Sequence, residues 1–419
     1  MPENSLPQES VSPGRIGVGP GVRRMHPCVE CGSGSRVASV DRPTHTEVFA
    51  SLYPSALEPS ASLDAQVADL SEQWLQIVEK LGPRARTVAA FWHVAEPLEE
   101  ESLSASVLVG APSDAASSAA ASVNWIIQPP CCSRCLAILE IQIQVEKTDL
   151  ASGRASVPTN GNGAEQPASV HVHDDAGGCR HVRISGIVAA ECGKSFEDEC
   201  EQVLSRSESL LQKHGAKLEH VARTWIYLRH MERDYDDLNR VRRVLFDRRE
   251  LKLYPASTGV GGATMAADRD LSLSLYAIVP SPEGASDVHA SPMSSHTFNG
   301  PWEYGSYFAR GMRLETRGGS TLLISGTASI NAEGETVAVG DLEQQIDRTL
   351  ENILGLLEGS GAGLENVVQV TSYLKNGADR DRFRQRLEST GLFEVPHAIV
   401  EAEICRPELL VEIELIACL

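Results

Sequence analysis

The sequence predicts an α/β (α+β) protein built from diverged internal repeats. Three observations carry this. His214–Leu228 (HGAKLEHVARTWIYL) and Ser360–Leu374 (SGAGLENVVQVTSYL) align without a gap and are identical at seven of fifteen positions. Each follows a segment with apolar residues at helical spacing and ends in a β-branched run. Two Ser/Gly-rich stretches, Asp149–Gln166 and Ser281–Ser295, divide the chain into blocks of about 45–148, 170–280 and 300–419. A match of that length, in register with its surroundings, marks repetition rather than chance.

The third block shows the plan most clearly. Leu322–Ile330 (LLISGTASI) reads as a strand and Asp341–Leu357 as an amphipathic helix that Gly361-Ala362-Gly363 ends. Val367–Leu374 is a strand, Arg380–Leu387 a second helix, and Ala398–Ala417 holds two more strands. The second block repeats the order: strand Val182–Val188, helix Glu197–Leu211, strand Val221–Leu228, helix Tyr235–Phe246, then Pro255–Gly259 and the closing strand Leu271–Val279. In the first block only the helix Leu63–Leu81 and the strands Arg86–His93 and Ile138–Val145 stand out, with no opening hairpin. Residues 1–44 read as a disordered tail, because Met1–Gly21 is rich in Pro, Gly and Ser.

Composition narrows the function classes. The 419 residues carry a formal net charge of −20 and show no basic face, which argues against nucleic acid as a partner. An anionic ligand would therefore need local arginines. No apolar run reaches the roughly 20 residues of a membrane span, and Met1–Gly21 lacks the apolar middle of a signal peptide. The expectation is a cytoplasmic protein whose ten cysteines are mostly thiols.

The third block resembles the Rid/YjgF (reactive-intermediate deaminase) superfamily in SGTASI (Ser325–Ile330), Gly340-Asp341 before the long helix, TSYL (Thr371–Leu374) and LLVEIELIA (Leu409–Ala417). That resemblance implies tandem Rid/YjgF-like repeats forming a pseudo-trimer, with mixed sheets inside, helices outside and a site in a cleft between repeats. The oligomeric state it implies is a monomeric pseudo-trimer or a small homo-oligomer. A narrower resemblance, over about residues 170–419, is to the chorismatases. It rests on RTWIYL (Arg223–Leu228), PASTGVG (Pro255–Gly261), FARG (Phe308–Gly311), SGTASI and ICRPELLVEIE (Ile404–Glu414). It implies cofactor-free conversion of chorismate, a small dicarboxylate, to a hydroxybenzoate, with 3-hydroxybenzoate expected, and pyruvate.

The sequence departs from both patterns. Rid deaminases hold the substrate carboxylate with an arginine just after the proline that opens the penultimate strand. Here those places read Pro396-His397-Ala398 and Pro255-Ala256-Ser257. The segment before FARG reads Trp302–Tyr307 instead of a run rich in tyrosine and proline. A Rid-type hydrolase of an imine or another enol ether, and a non-catalytic metabolite-binding protein, are the competing classes.

Glu412 and Glu414 alternate with Val411, Ile413 and Leu415, so both carboxylates share one strand face. They are either solvent-exposed or buried in the inter-repeat cleft, where burial would raise a carboxyl pKa and make it a general acid. Cys405 lies seven residues before Glu412. Alone it reads equally as a core thiol; the resemblance implies a catalytic pair with Glu412. Arg223 and Tyr227 share a strand face, and with Arg310 they are candidate carboxylate clamps, since a guanidinium binds a carboxylate through two hydrogen bonds. Arg243 and Arg406 are further candidates. Gly259 and Thr327, within PASTGVG and SGTASI, are implied substrate contacts.

No metal is expected. Cys28-x-x-Cys31 and Cys132-x-x-Cys135 are too far apart for a zinc ribbon, and elemental analysis should find well below one zinc per chain. His171, His173, Asp174 and Asp175 (HVHDD) read as a solvated polar segment beside a linker.

Overall fold

A computed structural model describes residues 22–25, 35–55, 61–98, 121–132, 134–147, 168–175, 177–280, 288–297, 299 and 307–419. They form three units with one strand plan. Unit one contains β1 (Val22–Met25), β2 (Arg36–Asp41), β3 (His45–Leu52), α1 (Leu63–Leu81), β4 (Ala85–Val94), β5 (Ser122–Ile127) and β6 (Ala137–Glu146). Unit two contains β7 (Ser169–Asp174), β8 (Cys179–Ile187), α2 (Phe196–Lys213), β9 (Val221–Leu228), α3 (Met231–Arg248), β10 (Ala256–Gly261) and β11 (Leu271–Pro280). Unit three contains β12 (His289–Pro292), β13 (Gly311–Thr316), β14 (Gly319–Ala328), α4 (Leu342–Gly359), β15 (Val367–Leu374), α5 (Arg380–Leu387), β16 (His397–Glu401) and β17 (Val411–Cys418).

The three sheets run β1-β2-β3-β6-β4-β5, β10-β9-β11-β8-β7 and β12-β13-β14-β17-β15-β16. In each, the closing strand lies in the middle, antiparallel to both neighbours. The outer pairs β4–β5, β9–β10 and β15–β16 are parallel, which requires a crossover connection.

Local chemistry explains the repetition. The helices α1, α2 and α4 all start at a side-chain cap: Ser62 accepts from the Ala65 amide, Ser195 from Asp198 and Asp341 from Gln344. After α2 and α4 the chain turns through Gly215 (φ 77°) and Gly361 (φ 72°), a conformation that favours glycine. A single 3-10 turn then leads into the strand, at Leu218–His220 and again at Leu364–Asn366. The matched sequence stretches encode this helix–turn–strand join.

Packing places sheets inside and helices outside. One apolar cluster fills the space between each sheet and its helices, for example Leu70, Trp74, Trp92 and Ile141 in unit one and Ile346, Ile353, Val370 and Ile413 in unit three. A separate cluster joins Phe91 and Ile138, Trp225 and Tyr276, and Met312 and Tyr373, so all three sheets meet along a common axis. Backbone bonds stitch the seams: Ile127 to Ala263, Cys131 to Ile399, and Gly261 to Glu403. No helix among the described residues is long and apolar enough to cross a membrane.

The structure corrects three expectations. The predicted tail contains β2, which forms an opening hairpin with β3 in unit one. The predicted second linker contains β12, paired with β13. His171–Asp174 of HVHDD belong to strand β7, with His171 and His173 buried rather than solvated, because this edge strand is covered by β5 of unit one. Cys28 and Cys31 lie outside the described residues, as does Asp149–Gln166.

Candidate active site

A cleft of about 720 Å³, including its open mouth, lies between units two and three. Unit two supplies Tyr235, Leu238 and Arg242 from α3, with Ser257 and Gly259 from β10. Unit three supplies Phe308, Arg310, Gly326, Cys405, Arg406 and Glu412.

Glu412 stands on the central strand of its sheet, and only 4% of it is exposed. The opposite face of β17 carries Val411, Ile413 and Leu415 into the core against α4. A bulge in the β14–β17 pairing falls between Ile324 and Thr327. It leaves Gly326 where a Cβ would collide with Glu412 Oε1, so the absent side chain makes room for the carboxyl. The Gly326 amide donates to Thr258 Oγ1 across the seam at 2.8 Å.

Burial pushes the Glu412 carboxyl up to about 8; nearby Glu414 adds to the shift, while Arg223 and Arg310 oppose it. At neutral pH the group therefore holds its proton. Burial and the neighbouring Glu412 raise the Cys405 thiol to about 12, so it is neutral as well. Burial also lowers Arg310 to about 9, and lowers Arg242. Both guanidiniums lie within cation–π range of Phe308, at 5.3 Å and 5.9 Å from its centroid. Arg242 Nη2 bonds Asn239 at 2.7 Å, while its buried Nε has no acceptor among the described residues. A neutral acid, a neutral thiol and two costly cations thus face one space. An anion entering it would offset the desolvation of both arginines.

Of the residues singled out in the sequence, Glu412, Cys405, Gly259, Arg310 and Arg406 line this cleft. Arg406 is partly engaged, donating to the Gly334 carbonyl. Four lie elsewhere. Arg223 and Tyr227 do share a face with Trp225, but it is the face toward the axis, where they line a central chamber. There Arg223 bonds Glu414 at 2.7 Å and Thr258 at 2.6 Å, and Trp225 Nε1 bonds Glu414 at 2.8 Å. Ile226, on the other face, reaches the cleft. Arg243 is exposed on α3, while its neighbour Arg242 turns inward. Thr327 is fully buried, and its hydroxyl donates to the Ser325 carbonyl at 2.9 Å.

Sequence reasoning missed Tyr235, Arg242 and Phe308. A signal for the first two existed: Tyr235, Leu238 and Arg242 are spaced three and four apart, which places them on one helix face. Phe308 sits in the FARG motif beside Arg310 and needed the structure to show its ring centre 5.9 Å and 5.3 Å from two guanidinium carbons.

Residues 176–279 and 309–419 match the family model described as Endoribonuclease L-PSP. A RutC family protein of Pyrococcus abyssi is 35% identical over 101 residues, covering 24% of this chain and 79% of that protein. A 3-hydroxybenzoate synthase of Streptomyces hygroscopicus is 27% identical over 219 residues, covering 46% of this chain and 62% of the synthase. Among solved structures, a chorismatase shares the fold at a TM-score of 0.58 and 17% identity, covering 90% of this chain and all of that one.

Proposed function

Because the chain belongs to the endoribonuclease L-PSP family, whose model spans its second and third units, we propose that these units enclose the active site of a chorismate-converting enzyme. The products are a hydroxybenzoate, with 3-hydroxybenzoate expected, and pyruvate. The likeness to a 3-hydroxybenzoate synthase and to a chorismatase fold supports this reading. The observation that carries it is a buried carboxyl, Glu412, whose pKa burial raises, facing a cleft with two buried guanidiniums.

Chorismate is a dicarboxylate with an enol ether. Arg310 and Arg242 hold its carboxylates, and Phe308 packs beside them. Glu412 gives its proton to the enolpyruvyl methylene, making a methyl group and an oxocarbenium-like ether carbon. That weakens the bond between ether oxygen and ring. For the 3-hydroxy product the neighbouring ring hydroxyl moves to the carbon that pyruvate leaves, and aromatisation then releases one proton from that carbon, so chorismate divides into hydroxybenzoate and pyruvate with no net gain or loss of water. Cys405 steers the ring towards the aromatic product instead of a dihydrodiol. No cofactor enters this scheme. Imine hydrolysis is disfavoured: beside Pro396 stands His397, buried and bonded to Ser372, where a carboxylate-binding arginine would be needed.

The test is to incubate the purified chain with chorismate and identify the aromatic product and pyruvate. Unchanged chorismate would overturn the reading. Two variants probe the assignments. Cys405→Ala should change the ratio of hydroxybenzoate to dihydrodiol, read by chromatography; an unaltered ratio removes the thiol from the ring-steering step. Arg310→Ala should raise KM roughly 10- to 100-fold with a smaller effect on kcat, since a carboxylate clamp acts in ground and transition states alike. A fall confined to kcat would assign Arg310 to the chemical step instead.

A further inference from the structure

On the axis where the three sheets meet lies a second cavity, of about 830 Å³ including open space. It shares no lining residue with the cleft. Its walls come from all three units: His45, Glu47 and Phe49 on β3, His173 on β7, His181 and Arg183 on β8, Tyr276 on β11, and Leu314 and Leu323 on β13 and β14. The chemistry proposed for the cleft uses none of them.

The charges here divide into satisfied and unsatisfied. Arg42 is committed, bonding Glu47 at 2.8 Å and the Leu419 carbonyl at 2.8 Å. Asp175 is committed, accepting from the Cys179 amide at 2.7 Å and meeting His181 Nε2 at 3.1 Å. Arg183 is different. Its guanidinium carbon sits 4.2 Å from the centre of the Tyr276 ring, and its buried Nε has no hydrogen-bond partner among the described residues. A guanidinium stacked on a ring keeps its N–H edge in plane and available. Burial depresses its pKa, and Tyr276 and Glu47 only partly offset this. The cavity thus contains a cation whose desolvation is incompletely repaid.

Rings line the same space. His173 and His181 stack at 4.6 Å with planes 2° apart, and His181 lies nearly parallel to Tyr276. Hydrogen bonds lock this ladder: His181 Nδ1 to the Tyr276 hydroxyl at 2.8 Å, and His173 Nδ1 to His171 Nε2 at 3.1 Å. Phe49, Val48, Val88 and Ile416 add apolar wall. Flat, rigid walls accept a planar ring at small entropic cost, and a guanidinium whose Nε has no partner among the described residues selects a carboxylate.

We propose that this axial cavity is a second ligand site, built for a small aromatic carboxylate whose charge pairs with Arg183 and whose ring lies against the His173–His181–Tyr276 ladder. The site is independent of the reaction assigned to the cleft.

The test is calorimetric titration of the full chain with benzoate, and with benzamide as the uncharged counterpart. The cleft variant Arg310→Ala serves as background, so that binding to the cleft does not mask the axial site. In that background benzoate should bind once per chain, and benzamide at least tenfold more weakly. Arg183→Met should weaken benzoate at least tenfold. Gly318→Phe offers a steric check: a Cβ at Gly318 would meet Thr316 Oγ1 at 3.3 Å and His45 Cε1 at 3.8 Å, both of them in the cavity wall, so a ring added there competes with a ligand for space without removing Arg183 or the ladder. It too should abolish binding. Both variants should melt within a few degrees of the parent, and Arg183→Met in an otherwise unaltered chain should still consume chorismate if the cleft is catalytic. Benzoate binding that survives both substitutions, or absence of binding in the Arg310→Ala background, would overturn the axial site whatever the fate of the chorismate reading.

Discussion

Glu412→Gln should reduce turnover of chorismate on the order of 10²-fold or more while leaving substrate binding in place. Glutamine keeps the shape and the neutral charge of the protonated acid but has no proton to give. The wild-type rate should fall as pH rises through about 8, where Glu412 loses its proton, and the variant's residual rate should lack that limb. Stability gives a second readout. The carboxyl titrates near 4.5 when unfolded and near 8 when folded, so the fold prefers its protonated form. That contribution is complete below the unfolded value and disappears as pH rises through the folded one. Wild type and Glu412→Gln should therefore melt together near pH 5, with the variant several degrees ahead at pH 9. Pyruvate release and thermal melts across this range check both parts. An unchanged rate would remove Glu412 from the chemistry, and parallel melts at every pH would show that it ionises normally.

The second large effect is on folding. Arg223→Met should destabilise the protein by roughly 3–5 kcal/mol, because it leaves Glu414 buried beside the axis without its 2.7 Å partner. Trp225 would be the remaining donor to that carboxylate. Adding Glu414→Gln should recover most of the loss, since a neutral amide needs no counter-charge. Denaturant unfolding of the single and double variants measures this directly. If Arg223 were instead a substrate clamp, the single variant would raise KM at unchanged stability, and the double variant would rescue nothing.

Arg223 also shows how far sequence reasoning reached. Alternation correctly placed Arg223 and Tyr227 on one face, but each face of β9 is covered, one by the cleft and helices and the other by neighbouring units. A period of two fixes which residues are together, not which space they enter. The same double burial explains β17. VEIEL looks like a half-exposed strand, yet Glu412 and Glu414 are 4% and 8% exposed because the next unit covers their face. The opening hairpin of unit one was hidden for a different reason. Arg36–Asp41 is short and polar at its ends, and it adjoins Ser- and Gly-rich chain. β7 was hidden by its chemistry: histidines at an axial cavity break the hydrophobic pattern that marks an interior strand. The repeat itself was legible, because the helix–turn–strand join depends on a few residues that both copies keep.

The seam between units two and three, held by Gly261 to Glu403 and by the Ala256–Ala309 and Val260–Ile404 bridges, joins parts of a single chain. Mass action therefore does not govern its assembly. A cleft formed by separate subunits empties on dilution below their dissociation constant, whereas tethered walls keep a high effective concentration of each other at any dilution. Specific activity should consequently stay constant from micromolar to picomolar protein, and the two walls should be made in equal amounts in every molecule synthesised.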